Sequence, residues 1–277
     1  MYRLIAIDLD GTLLNSKKEI PLENLRVIKA LIHKGYEIVI ATGRKYHSAK
    51  ELTKDINSHI TILANNGNIV RNSEDDRAII SKYLNKDDTM EVIDEGKKRG
   101  LDPIIHVDYF DNGYDIIIEK DYDYIGYHNY LRKNDNRIRK VDLSKEPGLD
   151  RTLALLYAGD KLPLEEFHEI IKRKFPYRFN SHIIGNIQVA EAFLEIMNPK
   201  GSKWKTLEEY ARIKGINNNE IIAIGDDNND IEMIQNAGLG IAMKNSSMLA
   251  KQAAKIVTER NNEDSGVAYE LLKILDI

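Results

Sequence analysis

The sequence predicts an α/β fold in which both ends of the chain build a parallel sheet and a middle segment forms an inserted domain. Short apolar segments alternate with stretches of helical periodicity near both ends, an order typical of parallel sheets with crossover helices. Between them, an Asp-Asn-Gly sequence at 111–113 predicts an antiparallel hairpin. We therefore predict a Rossmann-like, doubly wound core from residues 1–83 and 196–277, with an inserted α+β domain at 84–195.

The first part of the core is predicted from the first 64 residues. The LIAI segment within residues 3–9 predicts an apolar strand of the kind that is buried on both faces of a parallel sheet. A helix follows, because apolar residues recur at helical spacing over 22–32, between Pro21 near its start and Gly35 at its end. Further strands are predicted at 37–41 and 59–64.

The inserted domain mixes hairpin and helix signals. Apolar segments at 104–110 and 114–119 flank the Asp-Asn-Gly turn, and TLALLY at 152–157 predicts another strand. A helix over 164–174 and strands at 177–182 and 193–197 complete the segment. This mixture predicts an α+β domain that is separate from the parallel sheet.

The strand and helix alternation returns after residue 201. Ser202 can cap a helix over 204–211 that ends at Gly215. An apolar strand at 220–224 runs into GDDNND at 225–230, and a helix follows it. Short strands are predicted at 239–243 and 255–258.

Composition narrows the class of protein. The 277 residues carry a formal net charge of -4, which argues against a dedicated nucleic-acid binder, because such binding relies on clustered Lys and Arg. The chain contains no cysteine, which excludes disulfides and thiolate metal sites and suits a reducing cytosol. Asp8 and Asp10 interrupt what would be the apolar region of a signal peptide, and no apolar stretch is long enough for a membrane helix. We expect a cytoplasmic monomer with no nucleic-acid or membrane partner.

Acidic and hydroxyl side chains follow three of the predicted core strands. Asp8 and Asp10 follow the first, Thr42 the second, and Asp226 the strand at 220–224. Ligands of parallel sheets bind outside the carboxyl ends of the strands, so neighbouring strands would bring these side chains to one crevice. A single Asp at a strand end is also a common helix cap or turn former. The occurrence of both DLDGT and GDDNND favours a site for Mg²⁺, which prefers oxygen ligands.

The two N-terminal acids are candidates for different roles in phosphoryl transfer. Asp8 ends the strand on the rigid part of the scaffold, and a carboxylate can form an acyl phosphate. Asp10 could protonate the leaving alkoxide and then accept a proton from the attacking water. Gly11 allows a tight turn that leaves the Asp10 carbonyl to face the metal.

Phosphate contacts are predicted at two further places. The Thr42 hydroxyl and the backbone N–H groups of the Thr42-Gly43-Arg44 turn could bind non-bridging phosphate oxygens. Lys203 falls at the N-terminus of its predicted helix, where the helix dipole also favours an anion. It could neutralise the phosphate and the Asp8 carboxylate together.

These segments together resemble the haloacid dehalogenase-like phosphatases, and within them the Cof-like hydrolases. The resemblance spans essentially the whole chain. Its motifs are DLDGTLL at the start, ATGR at 41–44, FLEI at 193–196, Lys203, GDDNNDIEM at 225–233 and EDSGVA near the end. The DLDGT and GDDNND elements in this order are highly specific, whereas the Lys and Thr elements alone are not.

The resemblance implies a role for each matching residue. Asp8 would be the phosphorylated nucleophile and Asp10 the general acid and base. Mg²⁺ would be bound by Asp8, the Asp10 carbonyl and Asp226, with Asp230 supporting the metal. The implied phosphate-binding residues are Thr42, Lys203 and the nearby Asn229. The inserted domain would be a cap, and the substrates small phosphorylated metabolites such as sugar phosphates.

Two other functions remain open. A phosphotransferase such as a sugar phosphomutase would use the same nucleophile and pass the phosphoryl group to another hydroxyl. A non-catalytic sensor of phosphorylated ligands would be expected to lack Asp8 or Asp10, and both are present. Phosphate release, as opposed to an isomeric product, distinguishes the phosphatase from the phosphotransferase.

Overall fold

The computed structural model describes residues 1–127, 130–131, 135–145, 148–187 and 190–275. Its strands, in chain order, are β1 (Leu4–Ile7), β2 (Glu37–Ala41), β3 (Thr61–Ala64), β4 (Ile69–Asn72), β5 (Ala78–Ser81), β6 (Ile104–Tyr109), β7 (Tyr114–Ile118), β8 (Ile138–Lys140), β9 (Thr152–Gly159), β10 (Asn180–Ile187), β11 (Ala190–Met197), β12 (Ile221–Gly225), β13 (Leu239–Ala242) and β14 (Ile256–Val257). Its helices are α1 (Leu22–His33), α2 (Tyr46–Thr53), α3 (Lys86–Lys97), α4 (Lys161–Lys174), α5 (Lys203–Ile213), α6 (Ile231–Asn236), α7 (Met248–Ala253) and α8 (Gly266–Ile274).

The chain divides into two compact units. The first, called here the core unit, comprises Met1–Ser81 and the chain from Ser202 onward, and the second, the inserted unit, is Lys82–Gly201. Sequence analysis placed the insertion at 84–195. The inserted unit extends further because β11 runs to Met197, where it still pairs with β9.

The core unit contains an eight-stranded sheet in the order β14-β13-β12-β1-β2-β3-β4-β5. The strands from β14 to β3 are parallel, and β4 and β5 extend the sheet in antiparallel fashion. This antiparallel extension was not predicted. It follows from the turn at Asn65, Asn66 and Gly67, whose left-handed φ angles of 48°, 52° and 94° reverse the chain too tightly for a parallel crossover.

The sheet of the core unit is buried on both faces. All four residues of β1 are 0% exposed, as expected for a strand with helices above and below it. On one face, Trp204 and Leu207 of α5 and Met233 of α6 pack with alternate residues of the central strands. Trp204 is therefore a core residue. This packing fixes the start of α5 close to the carboxyl ends of the strands.

The inserted unit has its own sheet, in the order β10-β11-β9-β6-β7-β8. The hairpin predicted at 111–113 joins β6 and β7, and Gly113 adopts the left-handed φ of 85° that this turn needs. Helices α3 and α4 pack on one face of this sheet, whereas Tyr127 and Leu131 pack on the other. Among the described residues, no helix is both long and apolar enough to cross a membrane.

Candidate active site

The candidate site lies at the carboxyl ends of β12, β1 and β2. These three strands are neighbours in the sheet. On one side of β1 lie β2 to β5 in chain order, and on the other side lie β12 to β14. Asp226, Asp8 and Thr42 directly follow β12, β1 and β2 respectively. A crevice at such a reversal of strand order is the usual ligand position in an open parallel sheet.

Lys203 connects two carboxylates at this edge. Its Nζ lies 2.7 Å from Oδ1 of Asp8 and 2.7 Å from Oδ1 of Asp230, and the lysine is 2% exposed. Lys203 is the first residue of α5, whose N-terminus is capped by Ser202 through a 3.0 Å bond from Lys205 N–H. Burial works to lower the pKa of Lys203, but the charges of Asp230 and Asp8 outweigh it and raise that pKa. The ammonium is therefore held charged between the two acids.

Asp230 also organises the GDDNND loop. Its Oδ2 accepts hydrogen bonds from the backbone N–H groups of Asp226 at 3.0 Å and of Asp227 at 3.1 Å. A Cβ at Gly225 would lie 2.5 Å from the Cβ of Asp230, so only glycine leaves space for this arrangement. Asp230 thus fixes the loop with one oxygen and Lys203 with the other.

The DLDGT turn packs directly against Asp226. Thr12 donates its hydroxyl to Oδ1 of Asp226 at 2.9 Å. Gly11 has a left-handed φ of 76°, and a Cβ there would lie 2.2 Å from Oδ2 of Asp226. Glycine is required at this position both by the backbone conformation and by the close approach of the carboxylate.

Three carboxylates form a cluster that could hold a metal ion. Oxygen atoms of Asp8, Asp226 and Asp230 all lie within 4.8 Å of one another. Burial raises the pKa of Asp226 to about 6, against the hydrogen bond from Thr12 and with the help of the charge on Asp230. Lys203 supplies only one positive charge for three acids. The donor set therefore fits a divalent cation that prefers oxygen ligands.

The Asp10 carboxylate lies outside this cluster. Its Oδ2 accepts from Nε of Arg44 at 2.5 Å, and its Oδ1 accepts from Nη2 of Arg44 at 2.7 Å and from Nζ of Lys18 at 2.6 Å. Burial works to raise the pKa of Asp10, but the hydrogen bonds and charges of Arg44 and Lys18 outweigh it and lower that pKa. The Asp10 carboxylate is therefore paired with two cations and is not one of the three clustered acids.

The Thr42-Gly43-Arg44 turn is linked to the GDDNND loop through Asn66. The backbone N–H of Arg44 donates to Oγ1 of Thr42 at 3.1 Å, and that of Asn66 donates to the Thr42 carbonyl at 3.0 Å. Asn229 donates its side-chain amide to Oδ1 of Asn66 at 3.0 Å. The predicted Arg44 N–H contact to phosphate is therefore replaced by a bond to Thr42. Thr42 in turn keeps its own hydroxyl proton for another acceptor.

Sequence reasoning missed three residues of this site. Thr12 stands inside the DLDGTLL motif, and Asn66 follows the strand predicted at 59–64, so their side chains could have been expected to tie neighbouring loops together. Lys18 lies in an irregular segment, so nothing in the sequence pointed to its contact with Asp10. Asp8, Lys203, Asp226 and Asp230, in contrast, lie together as their motifs suggested.

Comparisons with known proteins support the resemblance inferred from the motifs. The model of the haloacid dehalogenase-like hydrolase family matches residues 5–271. A 5-amino-6-(5-phospho-D-ribitylamino)uracil phosphatase of Bacillus subtilis, YitU, is 29% identical over 270 residues, which cover 96% of this chain and 94% of YitU. Phosphatase YwpJ of the same organism is 26% identical over 304 residues, which cover 99% of this chain and 100% of YwpJ. The crystal structure of TM0651 from Thermotoga maritima superposes with a TM-score of 0.83 and 28% identity, covering 99% of this chain and 98% of TM0651. The predicted fold class is confirmed.

Proposed function

The chain belongs to the haloacid dehalogenase-like hydrolase family and is a phosphatase, and from this premise we propose a specific mechanism. The enzyme is Mg²⁺-dependent and hydrolyses small phosphorylated metabolites, such as sugar phosphates, through an aspartyl phosphate on Asp8. The observation that carries this proposal is the buried Asp8–Lys203–Asp230 arrangement beside Asp226. One of the two buried acids that share Lys203 can act as the nucleophile. The three acids together carry more negative charge than Lys203 neutralises, and a divalent cation would balance the excess.

The metal would be held by the carboxylates of Asp8 and Asp226 and by the carbonyl of Asp10. Asp230 would support these ligands through the hydrogen bonds that it accepts from Lys203 and from the backbone N–H of Asp226. The cluster of three acids supports this assignment. When bound, Mg²⁺ neutralises charge on the phosphoryl group and orients that group for attack. Thr12 keeps Asp226 in place for this purpose.

Asp8 attacks the phosphorus atom and the bond to the leaving oxygen breaks, which gives an acyl phosphate and an alkoxide. Asp10 enters this step protonated and donates that proton to the alkoxide, and the alcohol leaves. Although burial opposes them, Arg44 and Lys18 lower the pKa of Asp10, so the protonated form is a strong proton donor. A water molecule then attacks the same phosphorus atom and gives a proton to Asp10. The acyl phosphate bond breaks, inorganic phosphate departs, and the Asp8 carboxylate is restored. Lys203 holds Oδ1 of Asp8 throughout, which leaves the other oxygen to react.

Phosphate oxygens are bound by Thr42, the backbone N–H of Gly43, Lys203 and Asn229. Thr42 is suited to this because its Oγ1 accepts from Arg44 N–H, which leaves its hydroxyl proton available to donate to a phosphate oxygen. Asn229 is oriented by its bond to Asn66. Positioning and charge neutralisation are the main demands of phosphoryl transfer, and these groups meet them.

The inserted unit acts as a cap that selects the substrate. This assignment is supported by its place in the chain, as a separate compact unit between the two halves of the core unit. A cap that closes over the reaction would exclude water and strengthen electrostatic interactions. We also propose that the enzyme works in the cytoplasm, in keeping with a chain that contains no cysteine. We further propose that it is a monomer.

A screen of phosphomonoesters tests the proposed function. We expect Mg²⁺-dependent release of inorganic phosphate from p-nitrophenyl phosphate and from at least one member of a panel of sugar and polyol phosphates. The panel includes 5-amino-6-(5-phospho-D-ribitylamino)uracil, after which YitU is named. Chromatography of the products separates hydrolysis from transfer. An isomeric phosphate without free phosphate would establish a phosphotransferase, and no reaction on any substrate would overturn the proposal.

A further inference from the structure

We propose that Arg44 is a positioning residue that orients the Asp10 carboxylate and is not a ligand of the phosphate. The inference rests on the proposed function, in which Asp10 moves protons. It replaces the expectation that the turn at residues 42–44 uses Arg44 to bind phosphate.

The contact between Arg44 and Asp10 is a bidentate pair. Nε and Nη2 of Arg44 each donate to a different oxygen of Asp10, at 2.5 Å and 2.7 Å. Two parallel bonds fix the plane of a carboxylate as well as its position, which a single ammonium contact does not do. Lys18 adds one further bond, to Oδ1 at 2.6 Å. These bonds use three of the roughly four acceptor sites of the carboxylate, so one site remains for a proton.

Arg44 is itself held at several points. Its backbone N–H donates to Thr42, and its carbonyl accepts from the backbone N–H of Asn65 at 2.9 Å. Its third guanidinium nitrogen, Nη1, donates to Oγ of Ser48 at 3.3 Å. The guanidinium therefore has a defined direction before any substrate binds. That direction is toward Asp10.

Fold stability does not account for this arrangement. The side chains of Arg44, Asp10 and Lys18 are 30%, 37% and 52% exposed, and ion pairs with this exposure contribute little to the free energy of unfolding. Orientation of Asp10 is a more demanding requirement, because a displacement of about 1 Å in a catalytic group can reduce the rate by about 10²-fold. Asp10 has to serve the leaving oxygen and then the attacking water, so it needs one reproducible position in both steps.

The test compares two substrates that share a phosphoryl group and differ in their need for a proton. p-Nitrophenolate leaves without protonation, whereas phenolate is the stronger base, with a conjugate acid of pKa about 10 as for tyrosine. The value of kcat/KM reports the steps up to phosphoryl transfer to Asp8. We expect Arg44→Met to lower kcat/KM for phenyl phosphate by about tenfold or more, and for p-nitrophenyl phosphate by less than about threefold. Arg44→Lys should recover part of the loss, and Arg212→Met, on the exposed side of α5, is the matched control.

A double-mutant cycle with Asp10→Asn separates positioning from binding. If Arg44 acts through Asp10, Arg44→Met should have less than about a threefold further effect on phenyl phosphate in the Asp10→Asn background. The inhibition constant of inorganic phosphate should also stay within about threefold of the wild-type value.

Equal losses on both substrates, weaker inhibition by phosphate or additive effects with Asp10→Asn would overturn the inference and leave the proposed function intact. Absence of hydrolysis of both substrates by the wild-type enzyme would instead overturn the proposed function, and this inference with it.

Discussion

Nζ of Lys203 lies 2.7 Å from Oδ1 of Asp8, and both side chains are buried at the carboxyl end of β1. The two residues are 195 positions apart in the chain. They meet because β12 pairs with β1 and α5 packs on the face of the sheet beside them. One ammonium thereby compensates two acids, Asp8 and Asp230, that burial would otherwise destabilise.

Replacing Lys203 should impair both activity and stability. Lys203→Met leaves Asp8 and Asp230 buried without their common cation, and breaking a buried ion pair costs about 3 to 5 kcal/mol. We expect a lower free energy of unfolding in urea without metal, together with loss of phosphatase turnover. Lys205→Met is the control, since Lys205 lies two residues further along α5 and is exposed. Equal stability of the two variants would contradict the compensating role of Lys203.

Asp226 should control the requirement for metal. Asp226→Asn removes one of the three clustered carboxylates and should raise the Mg²⁺ concentration for half-maximal activity by at least about tenfold. Thermal unfolding offers a second readout, because a ligand at 100 times its Kd adds about 2.7 kcal/mol of stability. Asp227→Asn, on the exposed neighbouring acid, should leave the Mg²⁺ response unchanged. A wild-type enzyme that remains fully active in EDTA would exclude a metal role for the cluster.

Gly11 should tolerate no side chain. Gly11→Ala places a Cβ against the Asp226 carboxylate in a left-handed backbone, so we expect about a 10²-fold loss of kcat from the displaced acid. Gly35→Ala is a matched control, because Gly35 has a φ of 85° with nothing within 4 Å of the added Cβ. The Gly35→Ala variant should keep its activity and lose only about 1 to 2 kcal/mol of stability, because a residue with a Cβ disfavours the left-handed backbone. Similar losses of activity in both variants would contradict the close-approach explanation.

Glu95 in the inserted unit should make stability depend on pH. Hydrogen bonds from Lys174 and Arg99 outweigh burial and lower the pKa of Glu95 to about 2. The carboxylate therefore contributes stability above its unfolded pKa of about 4.5, and this contribution is lost as pH falls toward 2. Because the side chains of Lys174 and Arg99 are 49% and 34% exposed, we expect Glu95→Gln to cost only about 1 to 2 kcal/mol near pH 7 and less at about pH 3.

Urea unfolding between pH 7 and pH 3 measures this effect. Glu91→Gln, at an exposed position on the same helix, should show no such pH-dependent difference from the wild type. A Glu95→Gln difference that stays constant across the range would contradict the assignment of the effect to Glu95.

The sequence was informative where function depends on strand ends and motifs. Parallel strands place their carboxyl ends at one edge, so Asp8, Thr42 and Asp226 could be brought together without coordinates. The DLDGT and GDDNND motifs named the acids, and the position of Lys203 at a helix start followed from its cap at Ser202.

Other features depend on packing that a sequence does not display. The Asp10 contact with Arg44 requires the rotamers of both side chains, and Lys18 reaches it from an irregular segment. Helix α3 was not predicted because most of its residues are polar and its buried face is narrow. The β4–β5 extension depends on left-handed angles at two asparagines, which no apolar pattern signals.

The central claim is that Asp8 is the nucleophile, and the turnover of Asp8→Asn tests it most directly. Hydrolysis of p-nitrophenyl phosphate with saturating Mg²⁺ is measured for the wild type and the variant, with circular dichroism to establish that both are folded. A nucleophile lowers the activation barrier by several kcal/mol, so we predict that Asp8→Asn keeps about 10⁻³ of the wild-type turnover or less. A folded variant that keeps more than about a tenth of the wild-type rate would contradict the covalent mechanism.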